Sequence, residues 1–307
     1  MKTLVIGGGG FIGHNLTKRL KDEGHYVDVI DIKASPDFEA SPADNYYQMD
    51  ASNAEIDFTK YDRVYQLAAD MGGAGFVFTG DNDAEILQNS LSVNLNVCRQ
   101  MLEQQFKGKV FYSSSVCVYP DDVEGKESDA YPANPPSNYG WEKLTSERIY
   151  QAYAKNFGLK IRIARFHNCY GPDGTYEGGR EKFPAAACRK VLDATDTIEI
   201  WGDGKQLRPF IYIDDLLNGI EALMQSDFQG PVNLGPSYGL EIDSLVDMVC
   251  EIAGKKLTKV HIPGPTGGQN RYANNDLAKE KLNWFPSVPL EVGIEKTFTW
   301  IKNQKYL

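Results

Sequence analysis

The sequence predicts an α/β fold: a doubly wound parallel sheet with a smaller, interleaved α/β region toward the C-terminus. Three observations carry this. Short apolar runs alternate with amphipathic helical stretches through the first half of the chain. Four consecutive glycines, Gly7 to Gly10, separate the first apolar run from the first helix. After Gly171 the texture changes to shorter segments punctuated by Gly, Pro and Asp, as in "YGPDGTYEGGRE", "WGDGKQ", "LGPSYG" and "IPGPTGG". Strands that alternate with helices form a parallel sheet covered on both faces.

Taken in order, "TLVIG" is a strand stopped by glycine. "FIGHNLTKRLKDEGH" is a helix, with Ile12, Leu16 and Leu20 on one face and Gly24 as its stop. "YVDVID" is the second strand. Further strands are expected near 46–49, 64–68, 110–113 and 161–165, and helices near 85–104 and 139–157. Beyond 171, helices near 216–224, 244–253 and 290–303 alternate with short strands. This divides the chain into a cofactor-type sheet domain, 1–170, and a region 171–307 given mainly to a second ligand. Residues 205–235 are expected to return to the sheet.

The 307 residues are 42% hydrophobic and 24% charged, an ordinary soluble composition. A net charge of −10 excludes the basic stripe of a nucleic-acid surface. It leaves room for a small anion held by a few cations and a helix N-terminus. No apolar run reaches the ~20 residues of a membrane span. The first residues run straight into a strand, so no secretory leader is expected. Cys98, Cys117, Cys169, Cys188 and Cys250 include no C-x-x-C pair, so no metal is expected. Their odd, scattered set suits a reducing, cytoplasmic location.

Gly7, Gly10 and Gly13 form G-x-x-G-x-x-G, and Gly8, Gly10 and Gly13 also fit G-x-G-x-x-G. Such glycines allow a tight turn, a close backbone approach to a pyrophosphate, and a helix N-terminus aimed at it. Asp31 ends the second strand 18 residues after Gly13 (31 − 13). That is close to the roughly 20 expected of a ribose-binding acid in a Rossmann-type unit. A carboxylate there repels a 2′-phosphate, so NAD is expected rather than NADP. Phe11, Ile12, Ala69 and, near the adenine, Asp50 complete the expected cofactor contacts.

"SNYGWEKL" places Tyr139 and Lys143 four apart, on one helical face. A lysine beside a phenol favours phenolate, which can take a proton from a sugar hydroxyl. Ser115, in "YSSSVCVYP", is placed to hold that hydroxyl. Cys117 lies two residues further on and, in a strand, would share its face. Lys182 stands in "GGREKFP". From these residues alone, a buried inert thiol and a solvated lysine remain open readings. His167 reads as a packed histidine, and Arg180 as a partner of phosphate, Glu177 or Glu181.

The glycine motif, the serine-rich strand end and Tyr-x-x-x-Lys together resemble the extended short-chain dehydrogenase/reductase family, and "RPFIYIDD", with Arg208 and Asp214, agrees. Members mostly act on nucleotide-linked sugars. Within it, "ADMGGAGF", "SSSVCVYP", "KESDAYPANPPSNYGWEK", "RFHNCYGPDGTYEGGREKFPAAACRK" and "WGDGKQLRPFIYID" resemble the GDP-mannose 3,5-epimerase family in order, and "IPGPTGGQNRYANND" extends the match. The resemblance implies that NAD oxidises sugar carbon 4 transiently, with Ser115, Tyr139 and Lys143 at that step. It implies Cys117 and Lys182 as an acid/base pair for carbons 3 and 5. It implies that Gly72 and Gly73 admit the sugar, and that Asn168, Glu181, Lys190, Gln206, Arg208 and Arg271 contact a GDP-sugar. It also implies a homodimer through the helices near 85–104 and 139–157. The alternatives on the same fold are a nucleotide-sugar 4-epimerase, which does not need the Cys117–Lys182 pair, and a mono-epimerase acting at carbon 3 or carbon 5 alone.

Overall fold

The computed structural model describes residues 1–37, 39–267 and 273–306. The first half alternates as expected: β1 (Lys2–Ile6), α1 (Phe11–Asp22), β2 (Tyr26–Asp31), β3 (Asn45–Gln48) and β4 (Arg63–Gln66). A single turn, α2 (Ala74–Val77), precedes the long α3 (Asp83–Glu103), then β5 (Lys109–Ser115), α4 (Asn138–Phe157), β6 (Lys160–Phe166) and β7 (Asn168–Tyr170). The second half holds α5 (Phe183–Asp193), β8 (Thr197–Trp201), β9 (Leu207–Arg208), β10 (Phe210–Tyr212) and α6 (Ile213–Gln225). It ends with β11 (Val232–Leu234), β12 (Leu240–Glu241), α7 (Ile242–Ala253), β13 (Thr258–Ile262), α8 (Asp276–Leu282) and α9 (Leu290–Tyr306).

Seven strands form one parallel sheet in the order β11–β6–β5–β4–β1–β2–β3. Successive side chains of a strand point to opposite faces, and here both faces are apolar. Val5, Val29, Tyr65 and Phe111 enter one core, with Leu16 and Leu20 of α1 and Leu216 and Ile220 of α6. Leu4, Ile30, Val64, Val110 and Tyr112 enter the other, with Val97 and Met101 of α3 and Tyr150 of α4. Gly24 ends α1 as expected: its φ is +78°, its N–H meets the Lys21 carbonyl and that of His25 meets Leu20.

The strand order reverses between β1 and β4, so the turn after β1 and the loop after β4 flank a crevice at the carboxyl ends of the strands. That is where open α/β sheets bind ligands. β4 stops at Gln66, short of the expected residue 68, because the Gln66 amide takes over the pairing. Its Oε1 accepts the Ala68 N–H at 2.9 Å and its Nε2 donates to the Ala68 carbonyl at 3.0 Å.

Of the span 205–235, α6 and β11 return to the sheet, whereas β9 pairs with β12 and β10 with β7. α6 begins at Ile213 rather than 216, with Asp214 and Asp215 in its first turn, where acids suit the helix dipole. α5, α7 and α9 pack on one another beside the β8–β13 pair. No helix among the described residues is long and apolar enough to cross a membrane.

Candidate active site

The cofactor end of the crevice is built by the glycine turn. A Cβ on Gly13 would collide with the Gly7 carbonyl, and one on Gly7 would come within 2.6 Å of the Ala68 N. The missing side chains therefore let α1 sit on the turn and the turn on the end of β4. α1 has no side-chain N-cap and no acid in its first turn. Its N-terminal amides, at Phe11, Ile12 and Gly13, thus face the crevice as an anion site. Asp31 is fixed beside the turn: Oδ2 accepts the Gly9 N–H at 2.8 Å and Oδ1 the Lys33 N–H at 2.9 Å. Ala69 follows the Gln66–Ala68 clamp. This arrangement fits NAD: the helix N-terminus would hold its pyrophosphate and Asp31 its ribose hydroxyls. Asp50 lies two residues past β3, exposed, its carboxylate holding the Ser52 N–H at 2.9 Å.

Beside the turn, His14, Glu39 and Asp173 draw together. The Lys18 ammonium supplies the cation among them, 2.6 Å from Glu39 and 3.3 Å from Asp173. Periodicity gives no sign of this cluster, whose members come from α1 and two separate loops.

The first correction concerns Cys117. The strand ends at Ser115, and residues 116–118 form a single 3₁₀ turn. The Ser115 hydroxyl accepts the Cys117 N–H at 3.2 Å, so the strand alternation expected for this pair does not apply. The turn lies on the start of α4, where a Cβ on Gly140 would collide with the Cys117 carbonyl. Cys117 and Tyr139 consequently join one apolar cluster with Phe76 and Met71. Ser115, Cys117 and Tyr139 are brought together by that close approach.

The second correction concerns the Tyr139 phenol. Burial raises its pKa well above the usual value, the Cys117 and Glu142 charges raise it further, and only the Ser115 hydroxyl opposes them. Lys143 Nζ sits over the ring, 5.7 Å from its centre, and donates to the Ser113 carbonyl at 3.1 Å. Glu142 Oε2 lies 3.8 Å from that ammonium and partly cancels it. Burial lowers the Lys143 pKa, against the opposing pull of Glu142 and Glu147. Sequence spacing gave the pair but not Glu142, which adjoins Lys143 in the same motif.

On the substrate side, Lys182 immediately precedes α5, whose first turn holds Pro184, and its carbonyl accepts the Ala186 N–H at 3.0 Å. Its ammonium is near the thiol of Cys169, which burial pushes far up and Lys182 pulls down. Asn168, next to Cys169, donates to the Pro209 carbonyl at 3.4 Å. Glu181 accepts from Arg189 at 3.2 Å and from the Gly179 N–H at 2.7 Å. Lys190 donates to the Glu199 carbonyl at 3.0 Å, 5.9 Å from the centre of the half-exposed Trp201 ring. Gln206 donates to the Trp201 carbonyl at 2.9 Å, and its buried Oε1 has no partner among the described residues. Arg208 donates to the carbonyls of Leu207 at 2.7 Å and Thr266 at 2.6 Å. Arg271 lies outside the described residues.

One expectation on this side changes. Arg180 bonds neither Glu177 nor Glu181 but Asp70, at 2.9 Å. The space a Cβ on Gly73 would fill holds the Glu181 carbonyl, and that of Gly72 holds the Phe76 Cβ at 2.7 Å. Gly73 thus lets the loop of Glu181 pack close, and Gly72 lets its own segment turn back on Phe76. His167 is buried as expected.

Residues 3–235 match the model of the NAD dependent epimerase/dehydratase family. Over 99% of this chain and 83% of its own length, the GDP-mannose 3,5-epimerase of Arabidopsis thaliana is 42% identical. The UDP-glucose 4-epimerase of Thermotoga maritima, solved with UDP-glucose, superposes with a TM-score of 0.90 at 26% identity, covering 99% of this chain and 100% of that one. The UDP-glucuronic acid 4-epimerase of Bacillus cereus, solved with UDP-glucuronic acid and NAD, gives 0.85 at 27% identity, with 99% and 100% covered. With the glycine turn, the Asp31 carboxylate and the Ser115–Tyr139–Lys143 set in place, the chain belongs to the NAD dependent epimerase/dehydratase family and is an NAD-dependent epimerase of nucleotide sugars.

Proposed function

We propose that the substrate is GDP-mannose and that carbons 3 and 5 are inverted, giving GDP-L-galactose and, when only carbon 5 is inverted, GDP-L-gulose. The similarity to the Arabidopsis enzyme supports the substrate. The observation that carries the reaction type is a thiol in the Tyr139 cluster, since Cys117 has no task in a simple 4-epimerisation. Bound NAD supplies the acceptor, and later the donor, of the hydrogen on sugar carbon 4, along with a positive charge that favours phenolate. Tyr139 takes the proton of the 4-hydroxyl, with Ser115 holding that oxygen and Lys143 held beneath by Ser113. The resulting ketone acidifies the hydrogens on carbons 3 and 5. Cys117, as thiolate, removes such a proton from one face, and Lys182, as ammonium, delivers one to the other. Tyr139 then returns its proton as carbon 4 is reduced, so no net redox occurs.

In this reading the sheet domain, 1–170 with α6 and β11, holds NAD, and the GDP-sugar is held mainly by the remainder. Asn168, Glu181, Lys190, Gln206, Arg208 and Arg271 are its contacts, the unpaired Gln206 Oε1 being one acceptor available to a ligand. The protein works as a homodimer through α3 and α4, in the cytoplasm, where its five free cysteines stay reduced.

The test is proton NMR of GDP-mannose with the enzyme in heavy water. Deuterium should enter at carbons 3 and 5 with new galactose and gulose signals, and Cys117→Ala should abolish both. Inversion at carbon 4 without deuterium would instead establish a 4-epimerase.

A further inference from the structure

We propose that Arg180 is a positioning residue: it latches the glycine-rich loop that carries Lys182 onto the segment that packs against Tyr139 and Cys117. Proton donor and proton acceptor are thereby held in fixed relation. The inference rests on the roles given above to Lys182 and Cys117.

The loop has little packing of its own at its start. Gly178 and Gly179 have φ of +90° and +86°, and a Cβ on either would have nothing within 4 Å. Left-handed glycines in open space leave the chain free to pivot. The hold comes from across the site. Arg180 Nη1 bonds Asp70 Oδ1 at 2.9 Å, and the guanidinium lies 4.1 Å from the centre of the Phe76 ring. The Arg180 carbonyl accepts the Gly73 N–H at 3.1 Å, and the Glu181 carbonyl fills the notch left by the Gly73 side chain.

The receiving surface is rigid. Asp70 is anchored on α3: Ser90 Oγ accepts its N–H at 2.9 Å and Asn89 donates to its Oδ2 at 3.1 Å. Its Oδ1 is turned to Arg180. Phe76 is buried in the cluster of Tyr139 and Cys117. A partly exposed ion pair is weak by itself. A guanidinium that also stands over an aromatic ring is held by two independent attractions, which a lysine cannot reproduce with the same geometry. The latch thus spans 110 residues of sequence and ends two residues from Lys182.

The experiment compares Arg180→Ala, Arg180→Lys, Asp70→Asn and the double variant Arg180→Ala/Asp70→Asn, with Lys182→Ala as control. Hydrogen exchange by mass spectrometry reads the latch without catalysis. Arg180→Ala should speed exchange in peptides covering 172–182 and Gly73, and Lys182→Ala should not. Turnover reads the positioning: deuterium incorporation at carbons 3 and 5 should fall roughly 10-fold or more in kcat, the scale of a small misplacement of a catalytic group. KM should stay near the wild-type value, Arg180→Lys should be intermediate, and Asp70→Asn should add little to Arg180→Ala, because both break one contact. Unchanged exchange in Arg180→Ala, or fully additive losses, would overturn the latch. Normal turnover by Lys182→Ala, in a loop that Arg180→Ala still loosens, would overturn the role of Lys182 and not the latch.

Discussion

His167 adjoins Asn168 in the candidate site, yet it is buried and neither ring nitrogen meets a partner among the described residues. Burial alone lowers its pKa from 6.5 to about 3. An unfolded chain therefore binds a proton on His167 at a pH where the folded chain refuses it. The stability this histidine contributes is complete above pH 6.5 and is lost as pH falls toward about 3. His167→Phe, which removes the titrating group, should flatten the decline in urea midpoint between pH 7 and pH 4.5. An equal decline in both proteins would mean that His167 is solvated. At this scale the sequence yields what lies within one motif. Tyr139 and Lys143 are visible because helical spacing joins them. The raised phenol pKa is not, since it follows from burial. Nor is Asp70 as the partner of Arg180, since nothing local relates residues 110 apart.

Elements with strong periodicity were readable to within a few residues, because apolar residues must line one side of a helix or fill a doubly covered strand. Their ends were not, because side chains far away decide them. α6 illustrates this. Its second residue, Asp214, lies half-exposed near Arg19 at 3.7 Å, while Asp215 is almost fully buried. Asp215 Oδ2 accepts the N–H of Ser287 at 2.9 Å and of Val288 at 2.8 Å, and Oδ1 accepts the Ser287 hydroxyl at 3.1 Å. The carboxylate therefore ties a sheet helix to the turn that leads into α9. Asp215→Ala leaves two amides and a hydroxyl without that acceptor and should cost about 3 kcal/mol, whereas Ser287→Ala, losing the hydroxyl contact only, should cost about 1 kcal/mol. Both are read as shifts in denaturant midpoint at constant slope. A negligible shift for Asp215→Ala would mean that water replaces the carboxylate.

Across the whole molecule, the alternation of strands and helices was legible because each element carries its own pattern. The interleaving after Gly171 was legible only in outline. β11 is three residues long, and its place beside β6 is set by partners some 70 positions earlier, Val232 opposite Ala164. Quaternary structure lies one step further from the sequence, because helical periodicity cannot separate a face buried within the chain from one buried against a second copy. The α3–α4 pair turns Val97 and Tyr150 into the sheet core and bonds across itself, Asn94 Nδ2 to Ser146 Oγ at 2.9 Å. Outward it leaves Leu95 and Trp141 exposed at 49% and 41%. Large apolar groups on adjacent exposed helices suit an isologous contact, in which each copy buries the same patch. If the proposed homodimer forms through this face, Leu95→Glu combined with Trp141→Glu should shift the sedimentation coefficient from dimer to monomer at micromolar concentration. Because the glycine turn and Asp31 lie at the strand ends and not on this helix pair, the monomer should still bind NAD. A double variant that remains dimeric would place the interface elsewhere.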